Sequence, residues 1–296
     1  MSPRTIVITG GAGGLGLVAA RHLVQAGTNV VLAGRDAVRT AAAADGLRDL
    51  APAGTDAVPP RVYAADLSQW AQVRDLAAKL ADDGVRVDVL VNNAGAVFPR
   101  YGQTPDGVER TYAVNHHAPF LLTHALLAAG AFTADARIIN LSTFVEKRGR
   151  LDATDPDVSG TSWRHRFYSQ LHVYGTSKLL GLLATTELAR RLPDGLRIYS
   201  ANPGMVKNTG INTNAGGLMR LTAPLFRPFS ITPDQGVQTT LWLATASPAP
   251  QPSGGFFTKS QPTTPSRLAQ DTALARTVYE RTASLLGIEV LPTADQ

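Results

Sequence analysis

The sequence predicts an α/β fold: a doubly wound parallel sheet of about seven strands with helices on both faces, built as one domain over residues 1–296. Three observations predict it. Short β-branched apolar runs alternate with longer helical patterns, which is the signature of βαβ units and a parallel sheet. The runs are continuous rather than alternating, as in Val89-Leu90-Val91, so both sheet faces are covered. A glycine-rich turn follows the first run directly, at the carboxyl edge where open sheets of this kind bind ligands.

Strands are expected at 4–9, 29–34, 61–65, 87–92, 136–142, 196–201 and 255–258, and helices at 14–26, 36–50, 68–83, 106–130, 172–192, 233–246 and 265–286. Right-handed crossovers wind these units onto both faces. Two stretches break the rhythm, 144–171 and 203–232. Each follows the carboxyl end of a strand, and both are expected to be substrate loops. Within the second, Leu218, Met219, Leu221, Leu225, Phe226 and Phe229 read either as an apolar lid or membrane-resting surface, or as ordinary packing.

The composition narrows the function. With 44% hydrophobic and 17% charged residues the chain buries a core. It has no cysteine, so disulfides and thiolate metal sites are excluded, and a reducing cytoplasm fits. The net charge of +5 comes from dispersed arginines without a basic run. That argues against nucleic-acid binding and suits a phosphate-rich ligand. The six histidines lack a metal-ligand spacing, and the acids Asp152, Asp155 and Asp157 lack a calcium-loop pattern. Arg4 leads straight into a strand, so no secretory signal is expected, and no apolar stretch approaches the ~20 residues of a membrane span.

Thr9-Gly10-Gly11-Ala12-Gly13-Gly14-Leu15-Gly16 joins the first strand to the first helix. Glycines let the backbone approach a pyrophosphate, and the helix start offers unpaired N–H groups to it. This context makes the domain Rossmann-type, with Gly10, Gly13, Gly14, Leu15 and Gly16 as candidate cofactor residues. The second strand ends in Gly34 and Arg35 without the acid that would accept from the ribose hydroxyls. Gly34 leaves room there, and Arg35 can pair with a 2′-phosphate, so NADP(H) is favoured over NAD(H). Asp36 reads as the cap of the next helix.

A tyrosine and a lysine at 174 and 178 share one face of the helix expected there. An ammonium beside a phenol favours the phenolate and is expected to lower the Tyr174 pKa toward neutrality. Together these residues resemble the short-chain dehydrogenase/reductase family. The matches are Thr9-Gly10-x-x-x-Gly14-x-Gly16, Asp66-Leu67, Asn92-Asn93-Ala94-Gly95, Tyr174-Gly175-Thr176-Ser177-Lys178 and Asn202-Pro203-Gly204. The Leu-Ala-Gly-Arg ending of the second strand and the long insert before Tyr174 are most similar to the retinol-dehydrogenase-like branch.

The resemblance implies an oxidoreductase that moves a hydride between nicotinamide and a carbonyl or alcohol carbon of a small molecule, hydrophobic if the lid reading holds. It assigns catalysis to Tyr174 and Lys178, with Lys178 also reaching the nicotinamide ribose. Asn115 would prop a water chain to the lysine. The usual serine is replaced: Thr143 takes its position by register, with Ser142 as the alternative. Asp66, Leu67, Asn93, Ala94, Gly95, Pro203, Gly204 and Val206 would line the cofactor, as would Thr209 or its neighbour Asn208. Leu179, Leu180, Leu182 and Leu183 make the Tyr174 helix apolar over much of its surface, as in a buried or pairing helix. The family commonly pairs through this helix, so a homodimer or tetramer is expected. Two other readings stay open: a non-catalytic NADP(H)-binding regulator, and an isomerase or dehydratase on the same fold.

Overall fold

The apolar runs become the strands of one eight-stranded sheet in a computed structural model that describes residues 3–207 and 230–293. The first strands are β1 (Thr5–Thr9), β2 (Asn29–Gly34), β3 (Arg61–Ala64) and β4 (Val87–Asn92). They are followed by β5 (Phe132–Leu141), β6 (Arg197–Asn202), β7 (Phe256–Thr258) and β8 (Gln261–Pro262). Their spatial order is β3-β2-β1-β4-β5-β6-β7-β8. Chain order reverses between β1 and β4, and the ligand crevice of such a sheet opens at that switch.

Successive residues of a strand face opposite ways. In β1, Ile6 and Ile8 pack under α1 (Gly14–Gln25), while Val7 faces α3 (Trp70–Asp82) and the helix at Ala118–Ala128. Both sides are therefore sealed, which accounts for the unbroken apolar runs. A third apolar cluster joins the helix at Gln170–Leu188 to the C-terminal helix at Thr272–Leu286. No helix among the described residues is long and apolar enough to cross a membrane.

Seven strands were expected and all are present. The eighth, β8, is antiparallel and only two residues long. Lys259 and Ser260, with φ of 52° and 58°, turn the chain back as a tight two-residue hairpin. Turns of that kind usually carry Asn-Gly, so nothing in Lys-Ser announces one.

Helix boundaries move where caps decide them. α2 (Ala37–Asp45) starts after Asp36, whose carboxylate accepts from Arg39 N. The helix expected over 106–130 starts at Arg110 because the Glu109 carboxylate accepts from Thr111 N and Tyr112 N. It runs as α4 (Arg110–Tyr112), a π-turn (Ala113–His117) and α5 (Ala118–Ala128). α6 (Gln170–Leu188) carries the tyrosine and lysine. α7 (Pro233–Gly236) and α8 (Gln238–Thr245) follow. α9 (Thr272–Leu286) starts later than expected, after Asp271, whose carboxylate accepts from Ala273 N and Leu274 N.

Candidate active site

A cleft of about 760 Å³ opens along the carboxyl edge of the sheet at the β1/β4 switch. Gly10, Gly13, Gly14 and Leu15 line one wall, and Arg35, Asp66 and Leu67 lie at one end. Asn93, Ala94, Gly95, Ser142, Thr143, Tyr174, Lys178, Pro203, Gly204 and Val206 complete it. Of the expected residues, Asn115 stands just behind the cleft and Gly16 is packed beneath the turn. Thr209, its alternative Asn208 and the apolar segment 218–229 lie outside the described residues.

The phosphate turn is built by close approach. A Cβ on Gly16 would sit 2.5 Å from both Asn93 Nδ2 and Gly10 O, so only glycine lets α1 rise this near the β4 loop. Asn93 Nδ2 donates to Thr9 O at 2.8 Å, and Ala94 N donates to Thr9 Oγ1 at 3.1 Å, tying that loop to the turn. The N-terminus of α1 has Gly13 as its cap residue and no side-chain capping bond. Its first amides are left to face the cleft, a cradle suited to a pyrophosphate.

At the β2 end, burial of Asp66 works against its charge. Hydrogen bonds from Ser68 and Gln69, with the Arg35 guanidinium nearby, outweigh that and hold the carboxyl below its usual range. Gly34 was expected to leave room for the nucleotide. Gly34 does line the cleft, and a Cβ there would also lie 2.4 Å from Thr40 Oγ1, so the glycine admits helix α2 as well. That brings a second arginine, Arg39, into the cleft wall beside Arg35. The sequence reading passed over Arg39. Its signal was a second arginine four residues after the first, on the opening turn of a helix.

Tyr174 and Lys178 share one face of α6, with the Lys178 ammonium 5.9 Å from the Tyr174 ring centre. Lys178 Nζ donates to Leu141 O at 2.6 Å, which fixes it against the end of β5. The expected lowering of the Tyr174 pKa is not found in the chain by itself. Burial raises the phenol's pKa, and burial lowers that of Lys178 to about 8. Both shifts disfavour charge in a water-poor site. Burial therefore favours the neutral phenol at Tyr174.

Thr143 and Ser142 both border the cleft, but their hydroxyls differ. Ser142 Oγ is sealed from solvent without a partner among the described residues. Thr143 caps the turn at Phe144–Arg148, with Oγ1 accepting from Val145 N at 3.2 Å. That turn is anchored by buried Glu146, whose carboxylate accepts from Ser266 N at 2.9 Å and from the Ser266 hydroxyl. It is tied to α6 by Arg150 N donating to Thr176 Oγ1 at 2.8 Å.

Asn115 sits in the π-turn. Its Nδ2 donates to Ala96 O at 2.9 Å and to Ser177 Oγ at 3.0 Å, and its Oδ1 accepts from Ala96 N at 2.8 Å. The side chain thus clamps the β4 loop to α6. Behind it lies an inner cavity of about 30 Å³ bordered by Asn115, Ser142, Lys178 and the cross-strand row Asn92, Asn140 and Ser200.

Phe98, Arg110 and Val114 also border the cleft and were not anticipated. Only the contact of the Arg110 guanidinium with the Phe98 ring, at 4.5 Å, reveals the pair, and no spacing rule signals it. In the insert, Asp157 accepts from Ser159, Gly160 and Ser162 and shapes a turn, while Asp155 pairs with Arg281.

A glycine-cradled helix start, an Asn-Asn-Ala-Gly loop and a Tyr-x-x-x-Lys helix on one doubly wound sheet define a nicotinamide-nucleotide oxidoreductase of the short-chain type. The family model described as short chain dehydrogenase matches residues 4–153. The chain belongs to the short-chain dehydrogenase/reductase family, on its retinol-dehydrogenase-like branch. Human retinol dehydrogenase 13 is 32% identical over 99% of this chain and 87% of its own length. A Streptomyces sp. (strain C5) protein named "Putative daunorubicin C-13 ketoreductase DnrU" is 35% identical over 96% of this chain and 93% of its own. Among solved structures, a Mycobacterium paratuberculosis protein superposes with a TM-score of 0.75 at 31% identity, over 98% of this chain and 96% of its own. A short-chain dehydrogenase from Sphingobium yanoikuyae in complex with NADPH gives 0.60 at 26% identity, over 81% and 84%.

Proposed function

We propose that this protein is an NADP(H)-dependent oxidoreductase that interconverts a carbonyl group and the corresponding alcohol on an apolar small molecule. One observation carries the reading: a single cleft holds the glycine turn, Arg35, a neutral phenol, a buried lysine and a threonine hydroxyl. The dinucleotide, when bound, supplies or takes up the hydride at its nicotinamide ring. The residues fit such a group: the uncapped start of α1 for the pyrophosphate, Asp66 and Leu67 for the adenine, and the arginine end of the cleft for a 2′-phosphate.

In the reducing direction, Tyr174 donates its phenolic proton to the carbonyl oxygen as the carbon receives the hydride, giving the alcohol. The phenolate left behind faces the Lys178 ammonium one helical turn away, which stabilises it. Thr143 holds the substrate oxygen through its hydroxyl, and the sealed position of Ser142 Oγ supports this choice. Asn115 ties the turn of α6 that carries Lys178 to the β4 loop through Ser177 and borders the inner cavity, which is large enough for a water in the path that returns a proton to the Tyr174 phenolate.

An apolar substrate is supported by Phe98 and Val114, which border the cleft. The relatives named for retinol and for a daunorubicin ketone point the same way. NADP(H) is supported by Arg35 and by the NADPH complex of the Sphingobium neighbour. The test is NADPH consumption with a panel of apolar aldehydes and ketones. Tyr174→Phe is expected to slow turnover by about 10²-fold or more. Equal rates in wild type and variant would overturn the assignment.

A further inference from the structure

The inner cavity of about 30 Å³ gathers polar atoms that the protein does not satisfy. Among the residues that border it, Asn92 Oδ1, His116 Nδ1, Ser142 Oγ and Ser200 Oγ are sealed and lack a partner among the described residues. Lys178 borders the same chamber from α6. The volume admits about two waters, and the polar lining gives them partners. The hydrogen bonds around the chamber settle which of its atoms accept. Thr282 Oγ1 donates its one hydrogen to Val278 O at 2.7 Å, so it can only accept from His116 Nε2, 2.9 Å away. His116 therefore carries its proton on Nε2, and Nδ1 is a bare acceptor. Burial, with the neighbouring His117, holds this ring well below the usual histidine range, so it stays neutral.

The amide row resolves in the same way. Thr185 Oγ1 donates to Gly181 O at 2.8 Å and so accepts from Asn140 Nδ2 at 2.9 Å. Asn140 Oδ1 then accepts from Asn92 Nδ2 at 2.8 Å, which leaves Asn92 Oδ1 as a second bare acceptor. The Asn115 side chain is already engaged at its oxygen and both amide hydrogens. A chamber rich in acceptors suits the ammonium of Lys178, of whose three hydrogens Leu141 O takes one. Among the described residues no carboxylate borders the chamber. The titratable groups packed around it are Lys178 and Tyr174 of α6, His116 and His117 of the π-turn, His124 of α5 and Tyr279 of α9. Burial holds His117 and His124 down to about 4, so in this set Lys178 carries the charge at neutral pH.

We infer that His116 is a positioning residue for Lys178: its Nδ1 accepts from a water in the chamber, and the oxygen of that water accepts from the Lys178 ammonium. Thr282 of α9 takes part at one remove, because it fixes the ring proton on Nε2 and so keeps Nδ1 an acceptor. The C-terminal helix thereby reaches the lysine through one histidine. The inference deepens the reading of Lys178 as the cation that stabilises a Tyr174 phenolate, and rests on that reading for its effect on the reaction. An acceptor on the ammonium favours the charged form, so His116 raises the pH at which Lys178 loses its proton.

The experiment is a carbon-13 NMR titration of the intact protein labelled at lysine Cε, with the Lys178 signal assigned by its loss in Lys178→Met. It needs neither cofactor nor turnover. His116→Gln keeps a donor for Thr282 but removes the acceptor at the Nδ1 position, and the Lys178 midpoint is expected to fall by about one pH unit. His116→Asn places an amide where Nδ1 stands and is expected to titrate like wild type. Thr282→Val leaves the histidine in place but frees its tautomer, and is expected to lower the midpoint in the same direction. It also decides the question if His116→Gln does not fold. An unmoved midpoint in either His116→Gln or Thr282→Val overturns the inference. An equal fall in His116→Gln and His116→Asn overturns it too, since loss of the ring and not of its acceptor would then be the cause. If the midpoints move as expected but the alkaline limb of kcat/KM for carbonyl reduction does not follow them, the inference stands and the role given to Lys178 in the reaction falls.

Discussion

At the scale of single residues, the proposed chemistry of Tyr174 and Lys178 rests on burial as much as on spacing. The i, i+4 relation was legible in the sequence; the direction of the phenol's shift was not. A helical spacing gives proximity, but the depth of the site and the Leu141 carbonyl that engages Lys178 come from tertiary packing. Lys178 is lowered by burial to about 8, so below that pH it carries the charge that stabilises a Tyr174 phenolate. Carbonyl reduction is therefore expected to hold level below pH 8 and to fall above it as the ammonium is lost. A pH profile of kcat/KM checks this, and a rate that climbs between pH 8 and 10 would contradict it. Lys178→Met should run slower by about 10²-fold and lose that limb. The same geometry separates the two neighbouring hydroxyls. Thr143→Ala is expected to reduce kcat by about 10²-fold, Thr143→Ser to retain most of it, and Ser142→Ala to stay within a fewfold of wild type. Steady-state kinetics of the three variants decides between them.

At the scale of elements, strand positions and the glycine turn were readable because each rests on local pattern: an apolar run, a turn residue, a helix start. What escaped the reading depends on contacts between distant segments. The β7–β8 hairpin turns on Lys259 and Ser260, and Thr40 packs where a side chain on Gly34 would begin. The end of α6 is another such case. Arg191 Nη2 lies 2.6 Å from Glu187 Oε1, with their side chains 6% and 1% exposed, and its guanidinium stacks on Tyr279 of α9 at 4.8 Å. Removing the cation strands a buried carboxylate. Arg191→Ala is expected to cost about 3–5 kcal/mol in urea unfolding, whereas Arg191→Met with Glu187→Met should cost clearly less. Equal losses in the single and double variants would show that packing, not the unpaired charge, sets the cost.

At the scale of the whole molecule, α6 is spent inside one subunit. Leu179, Leu180, Leu182 and Leu183 are each at most 2% exposed, packed with Leu274, Ala275 and Val278 of α9. The apolar surface that suggested pairing through this helix is covered by the chain's own C-terminal helix. The homodimer or tetramer expected from the resemblance is checked by light scattering: a mass at least twice 31.3 kDa would support pairing, through a face other than these leucines, and 31.3 kDa would contradict it. The sheet edge, the phosphate turn and the α6 face then converge on one cleft, which the proposed function makes the seat of one reaction. That convergence is tested most directly by supplying NADPH deuterated at the transferring position of the nicotinamide with an accepted ketone, and reading the alcohol by mass spectrometry. One deuterium on the former carbonyl carbon is expected with wild type, and almost none over the same interval with Tyr174→Phe. An alcohol formed without the label, or labelled equally by both proteins, would contradict the account.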